Sequence, residues 1–314
     1  MVKEMVEQDK PLAYVLGSQP FHPLPVELLV RTPTLIPRPE TEFWVSLLSQ
    51  RFLRSPCSSP TLNASSRRQR PFRLLDVGTG TGCIAIGLTY ALAKAAKGQR
   101  VIQALALDRS ASALELATEN AERCGLFQNL ADPSSPRSAT EAHVSFLQAD
   151  LFSTSFSSTV LEKLSTLSVS SSIPSPPPSQ LSSEHRFDLV VSNPPYITRR
   201  EYTQLERSVR DWEDRGALVG EVASEGQQDE TGDGDGLVFY RRIVSLLPNL
   251  LSLPSLAGKE GREGKARSPA VALEVGQDQA RAVEQMLVEQ GFETEVVEDP
   301  WGVERAVFGY AKKR

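Results

Sequence analysis

The sequence has little sulfur and little histidine. Its 314 residues hold three cysteines, Cys57, Cys83 and Cys124, and three histidines, His22, His143 and His185. Neither set shows paired or metal-ligand spacing, which argues against a disulfide framework or a zinc module and favours a reducing compartment. No apolar run approaches the ~20 residues that a membrane-spanning helix needs. The net charge is −5, so there is no general basic field for nucleic acid. The opening, Met1-Val2-Lys3-Glu4-Met5-Val6-Glu7, is acidic. It resembles neither a signal peptide nor an Arg-rich, acid-poor transit peptide. What remains has the balance of an ordinary globular protein, long enough for one large domain or two small ones.

Stretches rich in Ser, Pro, Gly or acid near residues 55–70, 153–186, 221–236 and 254–269 read as low-complexity surface inserts. Residues 1–10 are polar and compatible with helix. Tyr14-Val15-Leu16-Gly17 and residues 26–30 read as two short strands, a hairpin. The proline-stiffened Leu35-Ile36-Pro37-Arg38-Pro39-Glu40-Thr41-Glu42 leads into a helix over about 42–53, with Thr41 or a nearby acid as its cap. Then the elements alternate. Strands are expected at 72–77, 101–107, 144–148, 187–192, 270–276, 293–298 and 305–310, and helices at 83–97, 110–124, 237–253 and 277–290. A shorter polar helical segment starts at about Arg200. Such alternation predicts an α/β fold with a mainly parallel sheet. Two units are expected: 1–46, a hairpin with the Pro-Arg-Pro-Glu-Thr loop, and 47–314, which carries the inserts.

Three acids end or nearly end three successive strands, at the edge where open α/β sheets bind ligands. Asp76 precedes Gly78-Thr79-Gly80-Thr81-Gly82, where glycine allows close backbone approach. The spacing is not that of a dinucleotide cradle, and Asp76 suits a cation or an amine better than a phosphate. Asp108 is placed to take the two hydroxyls of a ribose. Asp150 can accept from an exocyclic amine, with Leu151 or Phe152 covering a ring. A nucleoside bearing an amino group and a positive charge, without phosphate, fits these groups, and S-adenosylmethionine is such a molecule.

The strand at 187–192 stops at Asn193-Pro194-Pro195-Tyr196. Two prolines lock the backbone and supply no N–H, making a rigid corner between an amide and a phenol. Alone, this tetrapeptide fits a plain strand-ending turn better than a site. Beside the three acids it suggests chemistry on a planar nitrogen. The Asn193 side-chain oxygen and the Pro194 carbonyl can accept its N–H groups, and Tyr196 can stack on its plane. Asn193, Pro194 and Tyr196 are therefore the candidate catalytic residues. No metal is required.

These segments, with Pro11-Leu12-Ala13-Tyr14-Val15-Leu16-Gly17, Glu274-Val275-Gly276-Gln277-Asp278-Gln279 and Asp299-Pro300-Trp301-Gly302-Val303-Glu304-Arg305, resemble the HemK/PrmC-type glutamine methyltransferases that modify peptide-chain release factors. The resemblance implies a Rossmann-like, seven-stranded class I S-adenosylmethionine-dependent methyltransferase sheet with its last strand antiparallel, here with a short N-terminal hairpin. It implies methyl transfer to the amide nitrogen of the glutamine in a release factor's Gly-Gly-Gln loop. Carried over by position, Gly78 to Gly82, Asp108, Leu151 and Asn193 would contact the cofactor. Asn193, Pro194, Pro195 and Tyr196 would meet the glutamine, with Glu40 and Thr41 near the methionine end of the cofactor. The family's N-terminal helical bundle is almost absent from this sequence. Pro23 stands where glycine is usual, and Asp214 where proline follows Glu213. The inserts suggest a eukaryotic, fungal-type source, for which the resemblance implies a mitochondrial location, otherwise a cytoplasmic one. A monomer without membrane or direct nucleic-acid contact is expected. The alternatives are an amino-methyltransferase acting on DNA adenine or another protein, an NAD-dependent oxidoreductase, and a non-catalytic cofactor-binding scaffold.

Overall fold

The computed structural model describes residues 2–54, 70–98, 100–127, 142–167, 186–221, 234–252 and 268–312. The chain begins with α1 (Val2–Gln8) and α2 (Leu12–Leu16). The strand expected at 14–17 is thus helical. Its single turn packs Tyr14 inward, with the hydroxyl donating to the Thr34 carbonyl at 2.7 Å, and ends at Gly17 in the left-handed region, φ 78°. The hairpin is confined to β1 (Ser18–Gln19) and β2 (Leu28–Leu29), paired antiparallel. Helix α3 (Pro39–Arg54) starts earlier than expected and runs unbroken through position 46. Proline suits a first turn because its missing N–H would have no partner there. Thr41 lies inside the helix rather than capping it.

The main sheet contains β3 (Phe72–Val77), β4 (Ile102–Asp108), β5 (Ala142–Gln148), β6 (Leu189–Ser192), β7 (Val271–Glu274), β8 (Phe292–Glu298) and β9 (Glu304–Ala311). Its order is β5-β4-β3-β6-β7-β9-β8. The first five of these are parallel, and β9 runs antiparallel between β7 and β8. All six residues of β3 are buried, as expected of a strand covered on both faces. Alternate residues divide between two cores. Leu74 joins Trp44, Leu48, Ile84 and Leu88 on one face. Leu75 joins Phe156, Tyr240, Leu247 and Val283 on the other.

The covering helices are α4 (Cys83–Ala96), α5 (Ala111–Arg123), α6 (Phe156–Leu167), α10 (Val238–Leu250) and α11 (Ala280–Glu289). Short helices α7 (Arg199–Gln204), α8 (Arg207–Arg210) and α9 (Arg215–Leu218) occupy the link after β6. Helix α6 corrects the sequence expectation, which placed 153–186 in a disordered insert. Phe156, Val160 and Leu164 recur every fourth residue and are buried, and this apolar stripe outweighs the serines between them. Otherwise the insert stretches lie outside the described residues, except for Arg70, 153–155, Arg186, Glu221, 234–236, 268 and 269. Among the described residues, no helix is long and apolar enough to cross a membrane, and no cluster of His, Cys, Asp and Glu could hold a metal.

Strand order reverses beside β3, which pairs with β4 on one side and β6 on the other. The crevice at the carboxyl ends of these strands is where such sheets take ligands.

Candidate active site

The glycine turn is built from behind. Gly78 and Thr79 both donate to the Leu107 carbonyl, at 2.9 and 2.8 Å, pinning the turn to β4. One Asp76 oxygen accepts from the Thr79 hydroxyl at 2.7 Å and from the Ala85 amide at 3.2 Å. Asp76 is fully buried, its other oxygen has no partner among the described residues, and burial pushes its carboxyl up to about 7. Asp76 does not line the crevice, and through Thr79 and Ala85 it anchors the turn. Gly82 also turns inward, since a Cβ there would stand 2.7 Å from Ile86. Thr81 is buried, and its carbonyl accepts from Asn120 at 3.0 Å. That Asn120 side chain also grips both backbone groups of Leu29 in the hairpin.

In front of the turn lies a cleft of about 690 Å³. Of the expected cofactor residues, Gly78, Gly80, Asp108, Asp150, Leu151 and Asn193 line it, and Asp76, Thr79, Thr81 and Gly82 do not. The Asp108 oxygens accept separately from Gly80 N–H and Ser110 N–H, each at 2.9 Å. Each oxygen keeps a free lone pair, the arrangement that receives two adjacent hydroxyls. Burial raises the Asp108 carboxyl, and the two amide hydrogen bonds oppose it. Asp150 is exposed and accepts from Phe152 N–H at 2.9 Å. Leu151, Phe152, Phe239 and Ile243 supply an apolar wall, with the two phenylalanine rings edge-on at 5.1 Å.

The corner after β6 closes the opposite side. Ser192 donates to the Val77 carbonyl at 2.6 Å, tying β6 to β3 just ahead of Asn193. Asn193, Pro194 and Pro195 line the cleft. The Asn193 side chain has no hydrogen-bond partner among the described residues, so its amide is available to a ligand. Tyr196 does not line this cleft. Its ring turns away toward Gly276, among the charges of Glu274, Arg38, Arg305 and Glu40, and burial raises its phenol. The corner therefore divides two compartments, with the free amide on one side and the phenol on the other.

Behind the phenol, Glu274 is buried and accepts from the Thr41 hydroxyl and the Trp44 indole N–H, both at 2.7 Å. Burial pushes it up to about 7. Glu40 pairs with Arg305 at 3.6 Å. Glu40 and Thr41 thus lie on the phenol side and do not line the cleft.

A strap that sequence reasoning left without a role forms the cleft's roof. Pro33, Thr34 and Leu35 line the cleft together with Asp214, Arg215 and Gly216. Thr32 donates to the Trp212 carbonyl at 2.7 Å, Asp214 N–H to Pro33 at 2.6 Å, and Arg38 pairs with buried Glu213 at 2.6 Å. The sequence signal was an arginine between two prolines, where the backbone leaves few partners, and an acidic pair after Trp212.

No family model matches the chain. The chain is 36% identical over 210 residues to the release factor glutamine methyltransferase of Nitratidesulfovibrio vulgaris, covering 67% of this chain and 50% of that protein. It is 29% identical over 301 residues to the one from Geobacter sulfurreducens, covering 96% and 73%. It is 28% identical over 306 residues to the one from Bacillus subtilis, covering 97% and 76%. The chain is thus similar in sequence to the release factor glutamine methyltransferases. It spans about half the length of the first of these relatives and about three quarters of the other two. A solved protein-(glutamine-N5) methyltransferase from Alicyclobacillus acidocaldarius matches 88% of this chain and 95% of its own at 20% identity, with a TM-score of 0.36. The fold is read instead from the strand order, which is that of a class I methyltransferase sheet. In this chain, most of the segments that carried the resemblance collect around the corner. Leu35, Gly78, Gly80 and Asn193 to Pro195 border the cleft. The segments at 274–279 and 299–305 gather behind Tyr196.

Proposed function

We propose that the chain transfers a methyl group from S-adenosylmethionine to the side-chain amide nitrogen of the glutamine in a release factor's Gly-Gly-Gln loop. The observation that carries this reading is the unpartnered Asn193 amide, held on a proline-locked corner across the cleft from Asp108. The residues present fit the cofactor. An added Cβ at Gly78 would meet nothing within 4 Å, and one at Gly80 only Thr34, at 4.0 Å, so the turn leaves space for a ligand against its backbone. Asp108 would hold the ribose hydroxyls, and Leu151 and Phe152 the ring. The cofactor supplies a methyl group on a positively charged sulfur.

Asn193 and the Pro194 carbonyl do the remaining work. Accepting the two N–H groups of the glutamine amide fixes its plane and turns the nitrogen lone pair outward. It also favours the positive charge that develops on nitrogen, and such positioning and electrostatic effects are each worth several kcal/mol. The nitrogen then sheds its proton to water without a strong base. Neither carboxyl pushed up to about 7, Asp76 or Glu274, borders the cleft, and the raised Asp108 that does border it is assigned to the ribose.

The inserts and the resemblance support a mitochondrial release factor as the substrate. The test is methyl transfer from labelled S-adenosylmethionine to such a factor, beside a control with Ala in place of the loop glutamine. Label on the first alone is expected. Label on both, or on neither with cofactor bound, would overturn the assignment.

A further inference from the structure

Gly276 and Gln279 follow β7 and line no part of the cleft, yet both reach the corner. The Gln279 side chain is fully engaged. Its oxygen accepts from Gly276 N–H at 3.2 Å, and its nitrogen donates to the carbonyls of Tyr196, at 3.0 Å, and Asp235, at 3.3 Å. One amide thus joins the end of β7, the corner and the approach to α10.

Three glycines complete the enclosure. A Cβ on Gly276 would stand 2.8 Å from Cδ2 and 3.3 Å from Cε2 of the Tyr196 ring. On Gly220 it would stand 2.7 Å from the Pro195 carbonyl oxygen and 2.8 Å from the Tyr196 Cα. On Gly236, whose φ is +67°, it would collide with the Tyr196 carbonyl. Three separated stretches therefore spend glycines on two consecutive residues. The next residue is clamped as well, with Ile197 N–H donating to Leu218 and Gly220 N–H to Ile197, both at 2.9 Å. A close-packed ring cannot yield to an added methyl without moving.

We infer that Gly276 and Gln279 are positioning residues that act through Tyr196, whose ring and backbone brace from behind the corner that carries Asn193 and Pro194. The inference rests on the glutamine reading for its catalytic consequence, but not for its geometry. Gly276 seats the edge of the ring by having no side chain, and Gln279 fixes the backbone that carries it.

Two readouts on the full chain separate these parts. With 3-fluorotyrosine at position 196, Gly276→Ala and Gln279→Ala should each shift its ¹⁹F resonance, while S-adenosylhomocysteine affinity changes by less than about twofold. Unmoved resonances would overturn the proposal. In methyl transfer to the release factor, Gly276→Ala should lower kcat by about tenfold or more with KM little changed, since small misplacements are costly. In a Tyr196→Ala background the same substitution should cost nothing further, because the partner it acts through is gone. Equal losses in the two backgrounds would overturn the proposal by placing the effect elsewhere. If Gly276→Ala fails to fold, the ¹⁹F shift of Gln279→Ala decides alone, because Gln279 holds the Tyr196 carbonyl, which Tyr196→Ala retains. Shifted resonances in a chain whose parent form transfers no label would overturn the substrate reading and leave the cradle standing.

Discussion

Thr41 and Glu274 lie 233 positions apart in the sequence and 2.7 Å apart in the fold, hydroxyl to carboxyl. The bond joins the first turn of α3 to the end of β7, and the Trp44 indole N–H reinforces it on the same oxygen. A strand-end acid is here committed to holding α3 against the sheet.

That commitment makes stability depend on pH. Burial keeps Glu274 protonated up to about pH 7, whereas its ordinary value is 4.5. Between those values the unfolded chain binds fewer protons than the folded one, so this residue's contribution to stability falls as pH rises through the window. Glu274→Gln keeps an acceptor for Thr41 and Trp44 and removes the titration. The difference in denaturation midpoint between pH 5 and pH 8 should shrink in the variant. It should not vanish, because Asp76 is raised in the same sense. An unchanged difference would show that Glu274 is ionised in the folded chain.

Asp108 tests the cofactor side. It holds Gly80 and Ser110 through separate oxygens, so Asp108→Ala removes both the turn's support and the acceptors for two hydroxyls. Asp108→Asn keeps one acceptor. Isothermal titration with S-adenosylhomocysteine should show the alanine variant weakened by about 100-fold and the asparagine variant by about tenfold, at roughly 1–3 kcal/mol for each hydrogen bond to a charged group. Equal affinity in all three forms would remove Asp108 from the binding site.

The strands were legible because their apolar runs are unbroken, and the crevice because acids and glycines stand at strand ends. Orientation was less legible. Asp76 and Asp108 look alike in the sequence, but Asp108 is the last residue of β4, whereas Asp76 lies one before the end of β3 and is buried. Asp76 pairs with Ala106, so Asp108 stands on the same face but two positions nearer the carboxyl edge of the sheet. Tyr196 could not be oriented from its neighbours, because the glycines that set it lie at 220, 236 and 276. Helix α6 was hidden because serine dominates the longer stretch that contains it, while within the helix every fourth residue decides its burial.

The strap predicts an asymmetric pair of variants. Glu213 is fully buried at its side chain and Arg38 only partly. Arg38→Ala leaves a buried carboxylate without its cation and should destabilise the chain by about 3 kcal/mol. Adding Glu213→Gln should recover most of that loss, since the charge is then gone. Urea denaturation of both variants measures it. Additive losses would show that the pair is not coupled.

Asn193 carries the proposed chemistry, and its substitutions separate binding from turnover. Asn193→Ala removes an acceptor while leaving the proline corner, the Ser192 bond to Val77 and the Asp108 site intact. S-adenosylhomocysteine affinity should therefore change little. Methyl transfer should fall by about 100- to 1,000-fold, the usual cost of losing one aimed polar group in a transition state. Asn193→Asp keeps the acceptor oxygen but changes its charge, so it should retain more activity than the alanine form. Measured as kcat with labelled cofactor, the order parent, aspartate, alanine follows if the role of Asn193 is to accept the substrate's N–H. An alanine form as active as the parent would mean that the corner serves only as a turn.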